Sequence, residues 1–447
     1  MTLDRRSLLK LGGAAALVLT AGGGTFLMTR TPNRALAPWQ SAGNGYADPR
    51  LQALSYAILA PNPHNRQPWL IDLRREGELT LYCDPDRVLP ETDPFQRQIV
   101  IGLGCFLELL SLAAAERGFA IEIVPFPDGQ PEPNLDARPI ARVHFRAAAA
   151  APDPLFRQVL ERRTNKEPFD TSRPVDEAAL EQLAAAGGGA LAVQTTNETK
   201  LVAWLRQLTW QAMKIEIETP RTYLESIRLM RLGKTEIEAS PDGIDLGGPF
   251  LETLSKLGLM TRQSLADPQS TAYRQGLDMF REITGTAMAY VWIKTPGNSR
   301  LDQLAAGRTW LRLNLKATEL GLGLHPLSQA LQEYAEMEPH FGAIHSQLGG
   351  SGQRLQMLGR LGYGPEVDPS PRWPLETRLQ EAKWPKRPKI RRSSRCSTRS
   401  ASSNNCPGSA LKECCRRASR SLTSASSTIS RGLEANARRP IWREPFR

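Results

Sequence analysis

Ala60-Pro61-Asn62-Pro63-His64-Asn65-Arg66-Gln67-Pro68-Trp69 is the stretch on which the fold hinges. Three prolines and two asparagines in ten residues exclude a helix interior and favour turns. The prolines hold the backbone near one conformation, so little entropy is lost when a ligand docks. Asn62, His64, Asn65 and Gln67 bring both donors and acceptors onto that stiff turn. Trp69-Leu70-Ile71-Asp72-Leu73 then reads as a strand starting directly from it. A rigid polar turn feeding a core strand is a platform for a flat heteroaromatic ligand. Composition alone equally allows a surface turn whose asparagines cap local backbone groups.

Outward from the turn, residues 47–60 predict a short helix before it, and Leu79–Cys83 a second strand after it. Residues 98–118 predict a long helix, apolar nearly all round through Ile99, Val100, Ile101, Leu103, Phe106, Leu107, Leu110 and Leu112, and hence buried. Gly118 ends it. Residues 120–125 and 140–145 alternate and branch like strands. A linker of alanines and Pro152-Asp153-Pro154 follows, and the chain then starts over. Residues 155–163 and 174–186 read as helices, 190–194 as a strand and 200–214 as an amphipathic helix. Residues 215–285, broken by Pro241-Asp242-Gly243 and Gly247-Gly248-Pro249, fit no layer and predict an inserted helical flap. Residues 287–294 read as a strand and 301–320 as a second long buried helix closed by Gly321-Leu322-Gly323. Residues 324–328 follow as a turn and 355–363 as a strand. Two long helices, each after strands and each ended by glycine before another strand, predict two related halves, 45–147 and 155–380.

A second chemically loaded stretch is Arg162-Arg163-Thr164-Asn165-Lys166-Glu167-Pro168-Phe169-Asp170. Two guanidiniums, a hydroxyl and an ammonium within five residues can clamp a phosphate. The same composition would serve as a solvated basic helix end.

Both stretches resemble the FMN-dependent nitroreductase family. The Asn62–Trp69 turn is similar to that family's Pro-Ser-x-x-Asn-x-Gln-Pro-Trp, which lies against the flavin. Residues 162–169 resemble its Arg-x-Ser-x-Arg/Lys-x-Phe. Gly321-Leu322-Gly323-Leu324-His325-Pro326-Leu327-Ser328 resembles its Gly-Leu-Gly-x-x-Pro segment, whose amides approach flavin N5. Gly362-Tyr363-Gly364-Pro365 and Pro371-Arg372-Trp373-Pro374 resemble its closing segment, whose arginine reaches the phosphate. The resemblance implies an α+β, three-layer fold whose two halves form an intramolecular pseudo-dimer. It implies FMN held by Pro61, Asn62, His64, Asn65, Arg162, Arg163, Thr164, Lys166, Leu327, Ser328 and Arg372. Lys166, beside the N1/O2 edge, would carry the catalytic role by stabilising reduced flavin.

The order of the motifs departs from the family's. There the basic motif precedes the asparagine turn, and two chains share each flavin. Here the turn lies in the first half and the basic motif in the second, while Ala186-Gly187-Gly188-Gly189 stands where the second half's own turn belongs. The expectation is one complete site, one FMN per chain, and a monomeric pseudo-dimer. Electron transfer through N5 would run from NAD(P)H or another donor to a nitro- or quinone-like acceptor. A flavin-sequestering protein without turnover is the alternative.

Charge and leader bear on where such chemistry runs. The net charge is +11, but 16 Lys and Arg against 3 Glu put +13 on residues 384–447, leaving −2 elsewhere. The near-neutral body gives no argument for a nucleic-acid partner. The Arg/Ser-rich tail reads as disordered or as an out-of-frame product. Asp4-Arg5-Arg6-Ser7-Leu8-Leu9-Lys10 before the apolar run 11–28 reads as a twin-arginine signal or anchor over residues 1–37. Ala35-Leu36-Ala37 has the small-x-small cleavage pattern, though Pro38 disfavours cutting. The expectation is a periplasmic or membrane-anchored protein touching the membrane only through that segment. Cys83 and Cys105, in apolar settings, read as buried free thiols, and no histidine has metal-ligand spacing.

Overall fold

The computed structural model describes residues 31–380 except 149, 190 and 351. The expected export signal, as far as residue 30, and the tail from 384 lie outside the described residues. Helix α1 (Asn33–Ser41) leads to α2 (Pro49–Ala57), which starts at Pro49 behind an Asp48 cap accepting from the Arg50 amide at 2.8 Å. Then come β1 (Trp69–Asp72), β2 (Glu78–Cys83), α3 (Arg97–Glu116), β3 (Phe119–Pro125) and β4 (Ala141–Ala147). They form an antiparallel sheet in the order β1-β2-β4-β3.

The second half contains α4 (Glu177–Ala185), β5 (Ala192–Thr196), α5 (Thr199–Glu218), α6 (Pro220–Leu229), β6 (Met230–Leu232), α7 (Gly233–Ala239), β7 (Ile244–Leu246), α8 (Pro249–Lys256), α9 (Arg262–Ala266) and α10 (Thr271–Gly285). It continues through β8 (Ala289–Thr295), α11 (Arg300–Glu319), β9 (Gly323–Pro326), α12 (Glu338–Ile344) and β10 (Arg354–Gly362). Its sheet runs β5-β8-β10-β9, also antiparallel. With everything between β5 and β8 set aside, each half is strand, strand, long helix, strand, strand, and each pairs its strands in the same spatial order. That repeat is the duplication.

The two long helices cross at equivalent glycines. A Cβ on Gly104 would lie 2.3 Å from the Leu304 carbonyl oxygen, and one on Gly307 2.0 Å from that of Ile101. Only glycine allows this approach. It lets Leu103, Phe106, Leu110, Leu311 and Leu313, all essentially inaccessible, share one core. Each such side chain contributes about 2 kcal/mol on leaving water. Glu108 of α3 adds bonds to Arg308 (2.7 Å) and Arg312 (3.1 Å) of α11. Both helices end in left-handed glycines, Gly118 (φ +76°) and Gly321 (φ +67°). Among the described residues α3 is the one helix long and apolar enough to cross a membrane, and it is the core helix.

Three expectations change. The segment read as a flap from 215 starts inside α5, which is part of the core: Val202, Leu205, Leu208 and Met213 pack on Tyr290, Trp292, Leu355 and Leu358 and cover the other face of the second sheet. Residues 155–163 are helical only as a 3-10 turn, Pro154–Gln158. Residues 324–328, read as a turn, begin in β9, because Leu324 and His325 register against Leu361 and Arg360.

The insertion also buries an acid. Glu216 on α5 accepts from Gln332 Nε2 at 2.7 Å. Burial pushes its carboxyl up to about 7, with Glu225 adding to the rise. The folded state therefore holds a proton that the unfolded chain releases near 4.5. Stability from this group is present below pH 4.5 and lost as pH rises towards 7. Glu216→Gln is expected to remove roughly 2–3 kcal/mol of that pH-dependent loss. Urea unfolding of both proteins across this range checks it; parallel pH curves would refute it.

Candidate functional site

The asparagine turn rests on α3. A Cβ at Gly102 would be 3.0 Å from Asn62 Cβ and 3.1 Å from Pro63 Cδ, so glycine there makes room for the turn. His64 (φ 46°), Asn65 (φ 50°) and Gln67 (φ 51°) are left-handed. Asparagine tolerates that region, but histidine and glutamine are held there only by surrounding structure. That structure is a hydrogen-bond net. Asn62 Oδ1 accepts from the Gln67 amide at 2.7 Å. Asn65 Nδ2 donates to the Pro371 carbonyl at 2.9 Å. Buried Gln67 donates to the Pro241 carbonyl (2.7 Å) and accepts from the Trp373 amide (2.9 Å).

The Pro241-Asp242-Gly243 break is therefore a joint that bolts the insertion to the turn. The Gly243 amide donates to the Asn65 carbonyl at 3.3 Å. Buried Asp242 accepts from Arg66 (2.6 Å), Arg87 (3.0 Å), Arg231 (3.1 Å) and Ser240 Oγ (2.7 Å). Burial raises its carboxyl, but the hydroxyl and the guanidiniums win and hold it below the usual range.

The basic stretch is anchored by Phe169, packed where Gly323, Gly362 and Gly364 leave no Cβ. The Arg360 guanidinium lies 3.9 Å from its ring centroid. Asn165 is tied to the carbonyls of Leu324 and Pro365 at 3.3 and 2.8 Å. This anchoring explains why residues after 158 leave the helical path: the chain must run extended to carry its cations to the seam.

One of those cations, Arg162, is buried, and so is Arg372 of the closing segment. Arg162 donates through Nη2 to the Leu59 carbonyl at 3.2 Å, while its Nη1 is enclosed without an acceptor. Burial, then Arg163, depresses it to about 10, so it stays charged at neutral pH. Arg372 was expected to reach a phosphate. Instead its five N–H groups are all engaged, by Ile58, Leu59, Ala60 and Pro371 carbonyls and Asn65 Oδ1. It locks the turn and lends charge, and burial, then Arg162, lowers it to about 9. Neither guanidinium bonds a carboxylate. Two adjacent buried cations without a bonded anion are costly unless a ligand supplies one. Half-buried Arg163 donates to the Leu160 and Arg162 carbonyls.

His64 joins the two stretches. Its Nδ1 is enclosed without a partner. Burial, then Lys166 and Arg66, depress it to about 4, so it is neutral. Lys166 is exposed and also faces His325, which takes a hydrogen bond from Arg360 at 3.0 Å. Pro61, Asn62 and Thr164 are half-buried nearby in sequence.

The Leu327 amide donates to the Leu358 carbonyl at 2.9 Å, and its side chain is buried in the second core. The Ser328 hydroxyl points to Met357 Sδ at 3.7 Å.

Sequence reasoning missed Trp39, Asp242, Asp245 and Arg360. Asp245, on β7, reaches solvent yet is crowded by protein; burial raises its carboxyl against the pull of Lys166 and Arg372. The Pro-Asp-Gly turn at 241–243 was the one local signal near these acids.

No family model matches the chain. Among curated proteins it is 26% identical over 337 residues, 74% of this chain and 90% of the other, to "Putative NAD(P)H nitroreductase Rv3131" of Mycobacterium tuberculosis. Among solved structures it resembles one named as a putative nitroreductase from Anabaena variabilis (12% identity, 74% and 91% of the two chains, TM-score 0.37). Another is the FMN-dependent nitroreductase NfnB from Mycobacterium smegmatis (16%, 51% and 97%, TM-score 0.32). With a sequence match along nearly the whole mycobacterial protein and an α+β architecture of two repeated halves, the chain is a divergent nitroreductase-like protein.

Proposed function

We propose that this chain is an FMN-dependent oxidoreductase that reduces a nitro- or quinone-like small molecule, with one FMN per chain at the seam between its halves. The observation that carries this is the enclosed Arg162 Nη1, without an acceptor, beside the buried charge of Arg372. A phosphate carries close to two negative charges and several strong acceptor oxygens. It supplies what Arg162 lacks, and Arg163 and the Thr164 hydroxyl stand next in the chain to complete the cradle. The left-handed turn presents His64, neutral and with a free Nδ1, as a polar contact for the ring system.

The cofactor supplies hydride and electron transfer when bound. Lys166 supplies the nearby cation that favours a negatively charged, reduced ring. The name of the mycobacterial relative supports NAD(P)H as donor. The twin-arginine reading supports export, for which the cell would need another donor; NADPH in solution still tests whether the bound flavin turns over. A second reading, flavin storage without turnover, draws on the insertion bolted against the turn at Asp242.

Absorbance titration is expected to give one FMN per chain, and two per chain would defeat the one-site reading. Bleaching of the flavin bands by NADPH, with recovery on adding a quinone, is expected of the enzyme. Binding without bleaching by NADPH or any chemical donor that reduces free FMN would favour storage.

A further inference from the structure

Helix α1 begins two residues past the segment outside the described residues and contains Ala35-Leu36-Ala37. In sequence this is a cleavage pattern at the end of an export signal. In the structure it is not an open junction. Ala35 is 2% and Leu36 8% exposed. The Ala35 carbonyl accepts from the Arg372 backbone amide at 2.8 Å. Trp39 is 6% exposed, and its indole N–H donates to the Ser370 carbonyl at 2.9 Å.

The Trp39 ring then meets three guanidiniums: Arg163 at 5.2 Å, Arg372 at 5.5 Å and Arg162 at 5.8 Å from its centroid. An aromatic face attracts cations, most strongly where water is excluded. Its ring lies against all three arginines and offers electron density that offsets their mutual repulsion. The short helix is thus held at both ends by the cation cluster and by the 370–372 segment.

We propose that α1 is an integral wall of the cation site, with Trp39 as a positioning residue for its arginines. Docking of α1 closes the Ala37–Pro38 bond to processing once the chain has folded. A protease needs an extended stretch of chain, so a bond inside a docked helix is cut only after that helix opens. The exported protein accordingly keeps its N-terminal segment and stays tethered through it. The physical basis is independent of the flavin assignment, and the test needs no flavin.

The full-length chain recovered from its producing cells is weighed intact, and purified chain is exposed to thermolysin, which cuts before Leu36. Expected are a mass that includes residues before Pro38 and a protected Ala35–Leu36 bond. Trp39→Ala is expected to be cut there at least tenfold faster, and Trp39→Phe to regain most of the protection. Should Trp39→Ala not fold, Arg163→Met removes the half-buried cation, 5.2 Å from the ring, and is expected to speed cutting several-fold. A mature chain beginning at Pro38 would overturn the proposal. So would native chain cut at Leu36 as fast as urea-unfolded chain, or protection unchanged in the folded variants.

Discussion

Asp242→Asn is expected to lower the unfolding free energy by about 3–5 kcal/mol, because it strips the anion from three guanidiniums at once. The carboxylate of Asp242 is buried and bonded to Arg66, Arg87 and Arg231. Arg66 and Arg87 keep other acceptors, the Asp86 carbonyl for one and Asp84 for the other. Asp84 offsets the charge of Arg66 less than Asp242 does, and burial already disfavours the ionised form of Arg66. The damage reaches further than the pair. Asp242 sits between Pro241 and Gly243, which bond Gln67 and Asn65. Losing the ion pairs loosens the insertion from the turn that carries His64. Urea unfolding with the slope held common gives the number, and a loss under 1 kcal/mol would mean that water reaches the cluster. Acid supplies an independent check. A carboxyl held below its ordinary 3.8 gives stability above that pH and loses it as pH falls through the lowered value. The variant should lack that acid limb.

What could be read in the sequence was what local chemistry decides. The buried helices α3 and α11 announce themselves by length, by their leucines and alanines, and by Gly118 and Gly321, whose left-handed caps the structure bears out. The strand after Pro68 follows from its position behind a turn that cannot be helical. What could not be read was decided at long range. Strands β6 and β7 are three residues each, and their pairing depends on Gly243, where a Cβ would lie 2.1 Å from the Leu229 carbonyl. The left-handed His64 and Gln67 have no propensity for that conformation; Pro241 and Trp373 impose it on Gln67 from distant parts of the chain. Trp39 lies just past the expected signal, and no local pattern ties an indole there to three arginines far along the chain. Arg372 was found by motif, but its role depends on which acceptors surround it, and those come from residues 58–65. The repeat of the two halves was legible in the two long helices, but the matching strand order was not, because the insertion over 197–288 separates two strands that are adjacent in the first half.

Arg162→Met is expected to weaken FMN binding about 100-fold while leaving the flavin-free protein as stable as before, or more so. The two signs separate a ligand contact from a structural one. In the flavin-free chain Arg162 makes one side-chain hydrogen bond to protein, to the Leu59 carbonyl. That carbonyl also accepts from Arg372 at 3.0 Å, so the substitution orphans no acceptor. It removes a buried charge whose repulsion already depresses Arg372, and methionine fills similar space with apolar atoms. A charge-assisted bond to phosphate is worth about 1.5–3 kcal/mol, or roughly 10- to 150-fold in affinity, and proximity to a second buried cation puts this one towards the upper end. Arg372→Met is the contrast: it strips donors from Ile58, Ala60 and Asn65 and is expected to destabilise the chain with or without flavin. Isothermal titration with FMN and thermal unfolding of the flavin-free proteins give the two readouts. If Arg162→Met binds FMN as the parent does, the phosphate lies elsewhere; if it unfolds as readily as Arg372→Met, Arg162 is a strut of the turn and its enclosed nitrogen marks no ligand site.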